Sequence, residues 1–187
     1  MIAKTTSDIV KYAMLKPPAT HYLPHAQDAR HYAELLVQNN LWMPALNYMS
    51  HAIPPREGVW WAWFCARKAV LPTATPEEIQ ALQVAETWIA KPTDENRFAA
   101  RDYAALIPSG SPPQCVLEAI AFLGELEDPV TGNKSPAIPY MSSKFIAAAV
   151  VGAAYSPDPE KPDVTAKEYL AQSFEVANRI NLWSQYS

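Results

Sequence analysis

Eighteen prolines and only five glycines punctuate this 187-residue chain, and almost every proline falls between apolar periodic segments. Inside a helix a proline costs about 3 kcal/mol, yet its ring is preorganised for the first helical turn. Prolines placed this way mark where helices begin and where connections run. The clearest start is Thr75-Pro76-Glu77-Glu78, with Thr75 as N-cap, Pro76 as first helical residue and Glu78 returning its carboxylate in a capping box. Ser111-Pro112-Pro113-Gln114 repeats that grammar, and Thr93-Asp94-Glu95 and Asp163-Val164-Thr165 are looser starts. Gly124, just after Phe122-Leu123, stands where a glycine commonly ends a helix.

Between these marks the pattern predicts an all-α chain of about nine helices. They run near 6–15, 25–38, 41–52, 55–70, 76–90, 94–107, 112–123, 142–155 and 163–182. Each carries an apolar stripe at helical spacing, as in Ile79, Leu82, Ala85, Trp88 and Ile89. No strand alternation stands out, and Asn-Gly or Asp-Gly hairpin turns are absent. The helix starts follow no fixed period, so a regular solenoid is disfavoured. Short proline-bearing links favour antiparallel neighbours, which leaves an irregular stack of helical hairpins or an orthogonal bundle, read as one domain over residues 1–187. Segment 125–141 is the one long connection, and the aromatic tail at 182–187 is expected to pack.

With 49% hydrophobic and 18% charged residues, the chain has the material for a full core and lacks the composition of disorder. A net charge of -4 and no run of five or more Lys or Arg argue against nucleic acid and against an anionic membrane surface. The longest apolar run, 145–155, is about half of what spans a bilayer, and the N-terminus lacks a signal peptide's apolar core. These features lead to the expectation of a cytoplasmic protein. Cys65 and Cys115 fall inside apolar helical patterns and read as buried free thiols.

Residues 59–70 are the most distinctive stretch. On a helix, Trp60, Trp63, Phe64 and Arg67 share one face, with Trp61 and Cys65 to the side. A helix so apolar all round is normally central and buried. The functional alternative makes Trp60, Trp61, Trp63 and Arg67 a partner-binding anchor, because Trp and Arg dominate interface hot spots. Together with the preceding Pro54-Pro55-Arg56-Glu57-Gly58, the Val59-Trp60-Trp61-Ala62…Cys65-Ala66-Arg67 segment resembles a poorly characterised bacterial family with this motif in an otherwise helical protein. That family is associated with type VI secretion gene neighbourhoods and has no enzymatic activity attached. The resemblance implies an accessory or adaptor role and carries over no catalytic residue.

Conventional chemistry is thin. His25, Asp28 and His31 step by three along one predicted helix, but a metal site needs further ligands and a second shell, so no metal is expected. His21 and His25 are separated by Pro24, which breaks a continuous helical face. No nucleophile elbow occurs, and buried helical cysteines tend toward low reactivity. Thr131-Gly132-Asn133-Lys134-Ser135 only superficially resembles a phosphate loop. Glu118 beside Cys115 is the candidate acid in an apolar setting, while Glu125, Glu127 and Asp128 read as a solvated acidic loop.

No constellation amounts to an active site, and no cofactor is expected. The leading expectation is a non-enzymatic protein-binding adaptor or chaperone, with a secretion effector or machinery component as its partner. The alternatives are an immunity or inhibitor protein for a toxin, and an enzyme or small-ligand binder with a pocket lined by Trp60, Trp61 or Trp63.

Overall fold

A computed structural model describes residues 5–127 and 130–186, with Glu127 described by its backbone alone. Among them are nine α-helices: α1 Thr6–Tyr12, α2 Ala29–Gln38, α3 Trp42–Ala52, α4 Pro55–Val70, α5 Pro76–Ala90, α6 Asp94–Ala104, α7 Pro112–Ala121, α8 Met141–Tyr155 and α9 Pro162–Arg179. Two 3₁₀ segments, Ala19–His25 and Leu182–Gln185, complete the helical structure. A two-residue antiparallel ladder pairs β1, Leu126–Glu127, with β2, Lys134–Ser135, inside the long connection. The all-α reading holds.

The punctuation residues act as the sequence predicts at several helix starts. Thr75 accepts from the Glu78 N–H at 3.2 Å while Glu78 accepts from the Thr75 N–H at 3.0 Å, a complete capping box. Ser111 and Thr93 cap α7 and α6 through the N–H groups of Gln114 and Asn96. Several boundaries differ from expectation: α6 ends at Ala104 and α9 at Arg179, each three residues short, and two further differences have a visible local cause. The helix expected from residue 25 begins at Ala29, because Pro24 sits in a tight 3₁₀ segment and Asp28 supplies the cap. The first helix stops at Tyr12, just before Met14 enters the left-handed region at φ 53°.

α8 is the organising helix, packed against α3, α4, α7 and α9. Its small residues Ala147, Ala149, Ala153 and Ala154 are buried and bring neighbouring backbones close. α7 runs antiparallel to it: Phe122 stacks on Phe145 with centroids 5.3 Å apart, while Pro112 approaches Gly152 at the opposite end. Against α4 the fit depends on Gly58, where an added Cβ would lie 2.8 Å from Ile146 Cδ1. All nine helices contribute side chains to one buried apolar cluster. None of the described helices is long and apolar enough to cross a membrane.

Gly124 has a different function from the expected helix stop. It is not among the glycines with positive φ. Instead, its missing Cβ admits the buried Arg97 guanidinium, whose Cζ would lie 2.9 Å from a Cβ there. Arg97 donates to Ala121 O at 3.2 Å and to Asp94 Oδ1 at 3.0 Å, tying α6 to the end of α7.

Candidate functional site

The four sequence-predicted contact residues divide between two faces of α4. Trp61 is 0% exposed, and its indole N–H donates to Tyr169 O at 3.1 Å. Tyr169 returns its hydroxyl to Cys65 O at 3.1 Å, so α4 and α9 clasp each other twice. Trp61 is a core residue, and its helical position next to Cys65 puts both on the inward side.

Trp60, Trp63 and Arg67 lie on the outer side. Trp60 is 38% exposed, with its ring centroid 6.1 Å from that of half-buried Phe64. Trp63 is half-buried and fixed by an indole N–H bond to Leu82 O at 3.0 Å. Exposed Arg67 places its guanidinium carbon 5.7 Å from the Trp63 ring centroid, within cation–π range. Lys68 pairs with Glu168 beside this strip. The strip therefore offers large apolar area on rings whose freedom is already reduced, which lowers the ordering cost of binding.

Other residues flagged by the sequence have local structural tasks. Asp28 Oδ1 accepts from the His31 N–H at 2.7 Å, and His31 Nδ1 accepts from the Gln27 N–H at 3.2 Å, so this pair caps α2. His51 is buried on α3, with Nδ1 2.9 Å from Asn47 O. Burial pushes the Cys65 thiol well up and the Cys115 thiol up to about 11, which suppresses thiolate formation. Desolvation also raises Glu118, partly offset by a 3.0 Å bond from Gln114 Nε2. Of the acidic loop, Asp128 and the Glu127 side chain lie outside the described residues. Lys134-Ser135 forms the return strand of the small ladder, so the Thr131–Ser135 stretch leads into a strand rather than a helix. Among the described residues no group of three or more His, Cys, Asp or Glu converges with metal-binding geometry.

Sequence reasoning missed a cleft of about 440 Å³ at the shared N-terminal end of α4 and α8. Pro54 and Pro55 come from the start of α4, Phe122 and Leu123 from the end of α7, and Ser142 and Ser143 from the first turn of α8. Ile138, Pro139 and Tyr140 form its loop side, and Tyr186 closes the wall by donating its hydroxyl to Ala52 O. Tyr140 is itself anchored, stacked on Tyr12 with centroids 3.6 Å apart. A second, larger hollow of about 690 Å³ lies between α1, α3 and α8, more open and bordered by Tyr12, Met14, Met43 and Lys144. Neither hollow is lined by Trp60, Trp61 or Trp63, where the sequence had placed an aromatic pocket.

The profile of a family of unknown function, DUF6931, matches residues 32–177. The chain belongs to that family. The DUF6931 span runs from Tyr32 in α2 to Ala177 in α9, and so contains the outer face of α4 and most of the cleft wall. Gln185 and Tyr186 of the cleft lie beyond it. No curated protein and no solved structure matches the chain.

Proposed function

We propose that this DUF6931 chain is a non-enzymatic protein-binding adaptor or chaperone whose contact face is the outer side of α4. The observation that carries the reading is the partly exposed strip of Trp60, Phe64, Trp63 and Arg67. A buried helix needs no such aromatics facing outward, and these residue types dominate interface hot spots. Raised thiol pKa values at both cysteines also speak against a cysteine nucleophile. The resemblance of the 54–67 segment to a bacterial family found beside type VI secretion genes supplies the setting. In that setting the partner is a secreted effector or a component of its export machinery.

The test is affinity purification of the tagged chain from its native cells, run in parallel with Trp60→Ala and Arg67→Ala variants. The expected result is one stoichiometric protein partner that the wild type retains and both variants lose. Loss of folding is a separate matter: Trp60→Ala, at a residue only 38% exposed, should cost about 1–2 kcal/mol, whereas Trp61→Ala should cost about 3–5 kcal/mol. Urea denaturation checks both figures. A wild-type chain that elutes alone, or a partner held equally by both variants, overturns the reading. A partner that proves to be a toxin, silenced on binding, would convert the adaptor into an immunity protein.

A further inference from the structure

The hollow between α1, α3 and α8 shares no residue with the aromatic strip and has the form of a groove between helices. α3 gives it Met43 and Asn47, one turn apart, and α8 gives Lys144, Ala148 and Val151 at the spacing of a single helix face. The small side chains of Ala147 and Ala148 keep the α8 wall low, which suits the packing of a further helix. Asn47 Nδ2 donates to Ala13 O at 2.8 Å and holds the end of α1 against α3. The groove is therefore in place before any partner arrives, which lowers the ordering cost of docking.

Met14, on this groove, is a residue that stability does not explain. The Leu15 N–H donates to Val10 O and the Met14 N–H to Lys11 O, both at 3.1 Å, the pair of bonds that ends a helix through one left-handed residue. Glycine is favoured at such a position, because a Cβ makes the left-handed conformation less favourable by a factor of about five or more. Methionine stands there instead, at φ 53°, and is 67% exposed, so burial offsets little of that penalty. With half-buried Met43 on the same groove, it forms an apolar surface of flexible side chains that adapts to a partner's shape.

The charges indicate the chemistry of that partner. Exposed Lys16 and Lys144 line the groove, and no Asp or Glu does. Neither lysine has an ion-pair partner among the described residues, although the chain as a whole carries a net charge of -4. A basic and apolar groove on an acidic protein favours a segment that is itself apolar and acidic. We propose that this groove docks an amphipathic helix of a protein partner. The helix lays its apolar face against Met14, Met43 and Val151, and its flanking carboxylates pair with Lys16 and Lys144.

The probe is a labelled synthetic helix of about 18 residues, with leucines on one face and glutamates along both edges of that face. Its counterpart carries lysine at every glutamate position. Fluorescence anisotropy with the full chain is read at about 0.1 M salt, where charges beyond about 10 Å are screened. The acidic peptide should bind about tenfold more tightly than the basic one. The net charge of the chain alone favours the opposite order. Lys16→Glu combined with Lys144→Glu should reverse the preference, a result that loss of folding does not produce. Met14→Gly should weaken the acidic peptide by about fivefold, with a urea midpoint at or above that of the wild type. Equal binding of the two peptides, no saturable binding of the acidic one at millimolar concentration, a preference that survives the charge swap, or a Met14→Gly variant that binds as the wild type does would each overturn the proposal. So would a wild-type dimer that Met14→Gly dissociates, which assigns the groove to a second copy. Binding to phosphatidylglycerol vesicles that the charge swap abolishes would overturn it too, and would assign the groove to a membrane surface.

Discussion

Glu118 shows how a single side chain can set a pH response that its sequence neighbours only hint at. Its carboxyl is raised above its ordinary value of 4.5, first by burial, with the Gln114 hydrogen bond opposing. Below that ordinary value the group is neutral in both folded and unfolded chains. As pH rises from there, the unfolded chain releases the proton before the folded one does. Stability present below pH 4.5 is therefore lost as pH climbs through the raised folded value, and then levels off. Glu118→Gln keeps an acceptor for Gln114 and removes the titration. Urea denaturation at pH 4.5 and pH 7 should show a smaller loss for the variant than for the wild type, and an equal loss would mean that Glu118 is solvated. The sequence suggested this residue because it neighbours Cys115 in an apolar stretch. It could not tell Trp61 from Trp60 in the same way. Which ring turns inward is decided by Tyr169, 108 positions away from Trp61. Gly124 is a parallel case: the sequence marks a helix stop, whereas the structural reason for glycine is the guanidinium of Arg97.

At the scale of elements, what was legible was what is encoded locally. Proline at the first position with Thr or Ser before it placed the starts of α5 and α7, because those side chains satisfy their own helix's free N–H groups. The start of α8 carried no such signature. Tyr140 enters the left-handed region and is held by stacking on Tyr12 from α1, a tertiary contact that local patterning does not record. Likewise the apolar run at 145–155 revealed a buried helix but not that it would be the hub. Its alanines reveal that role only when four other helices surround it. Ala153 is fully buried on that face, so Ala153→Leu inserts three carbon atoms where backbones are already close. Overpacking of this kind costs about 1–3 kcal/mol. The exposed neighbour Ala148 offers the control, since Ala148→Leu should change stability by under about 0.5 kcal/mol. Similar losses for the two variants in thermal or urea unfolding would show that α8 tolerates bulk on its packed side and is not the tight centre of the bundle.

Across the whole molecule, both candidate sites are products of assembly. The aromatic strip was visible as composition, yet its outward orientation follows from the clasp between α4 and α9. The cleft was invisible because its walls come from four separated stretches of chain, none of which carries a binding motif. The same interdependence governs how the molecule should open. Cys65 lies on α4 and Cys115 on α7, and both helices pack on α8 within the one buried cluster. Both thiols are buried and have raised pKa values, so neither should react in the folded state with a disulfide reagent at pH 8. If the shared cluster unfolds as one cooperative unit, the Cys65→Ser and Cys115→Ser variants will each expose their remaining thiol at the urea concentration where tryptophan fluorescence changes. A thiol that reacts well before that midpoint would show α4 or α7 detaching as a separate unit. Detachment of α4 alone would release Trp60 and Trp63 from their present framework, making the aromatic face adaptable in shape, whereas a common midpoint would leave it a rigid surface that a partner must match.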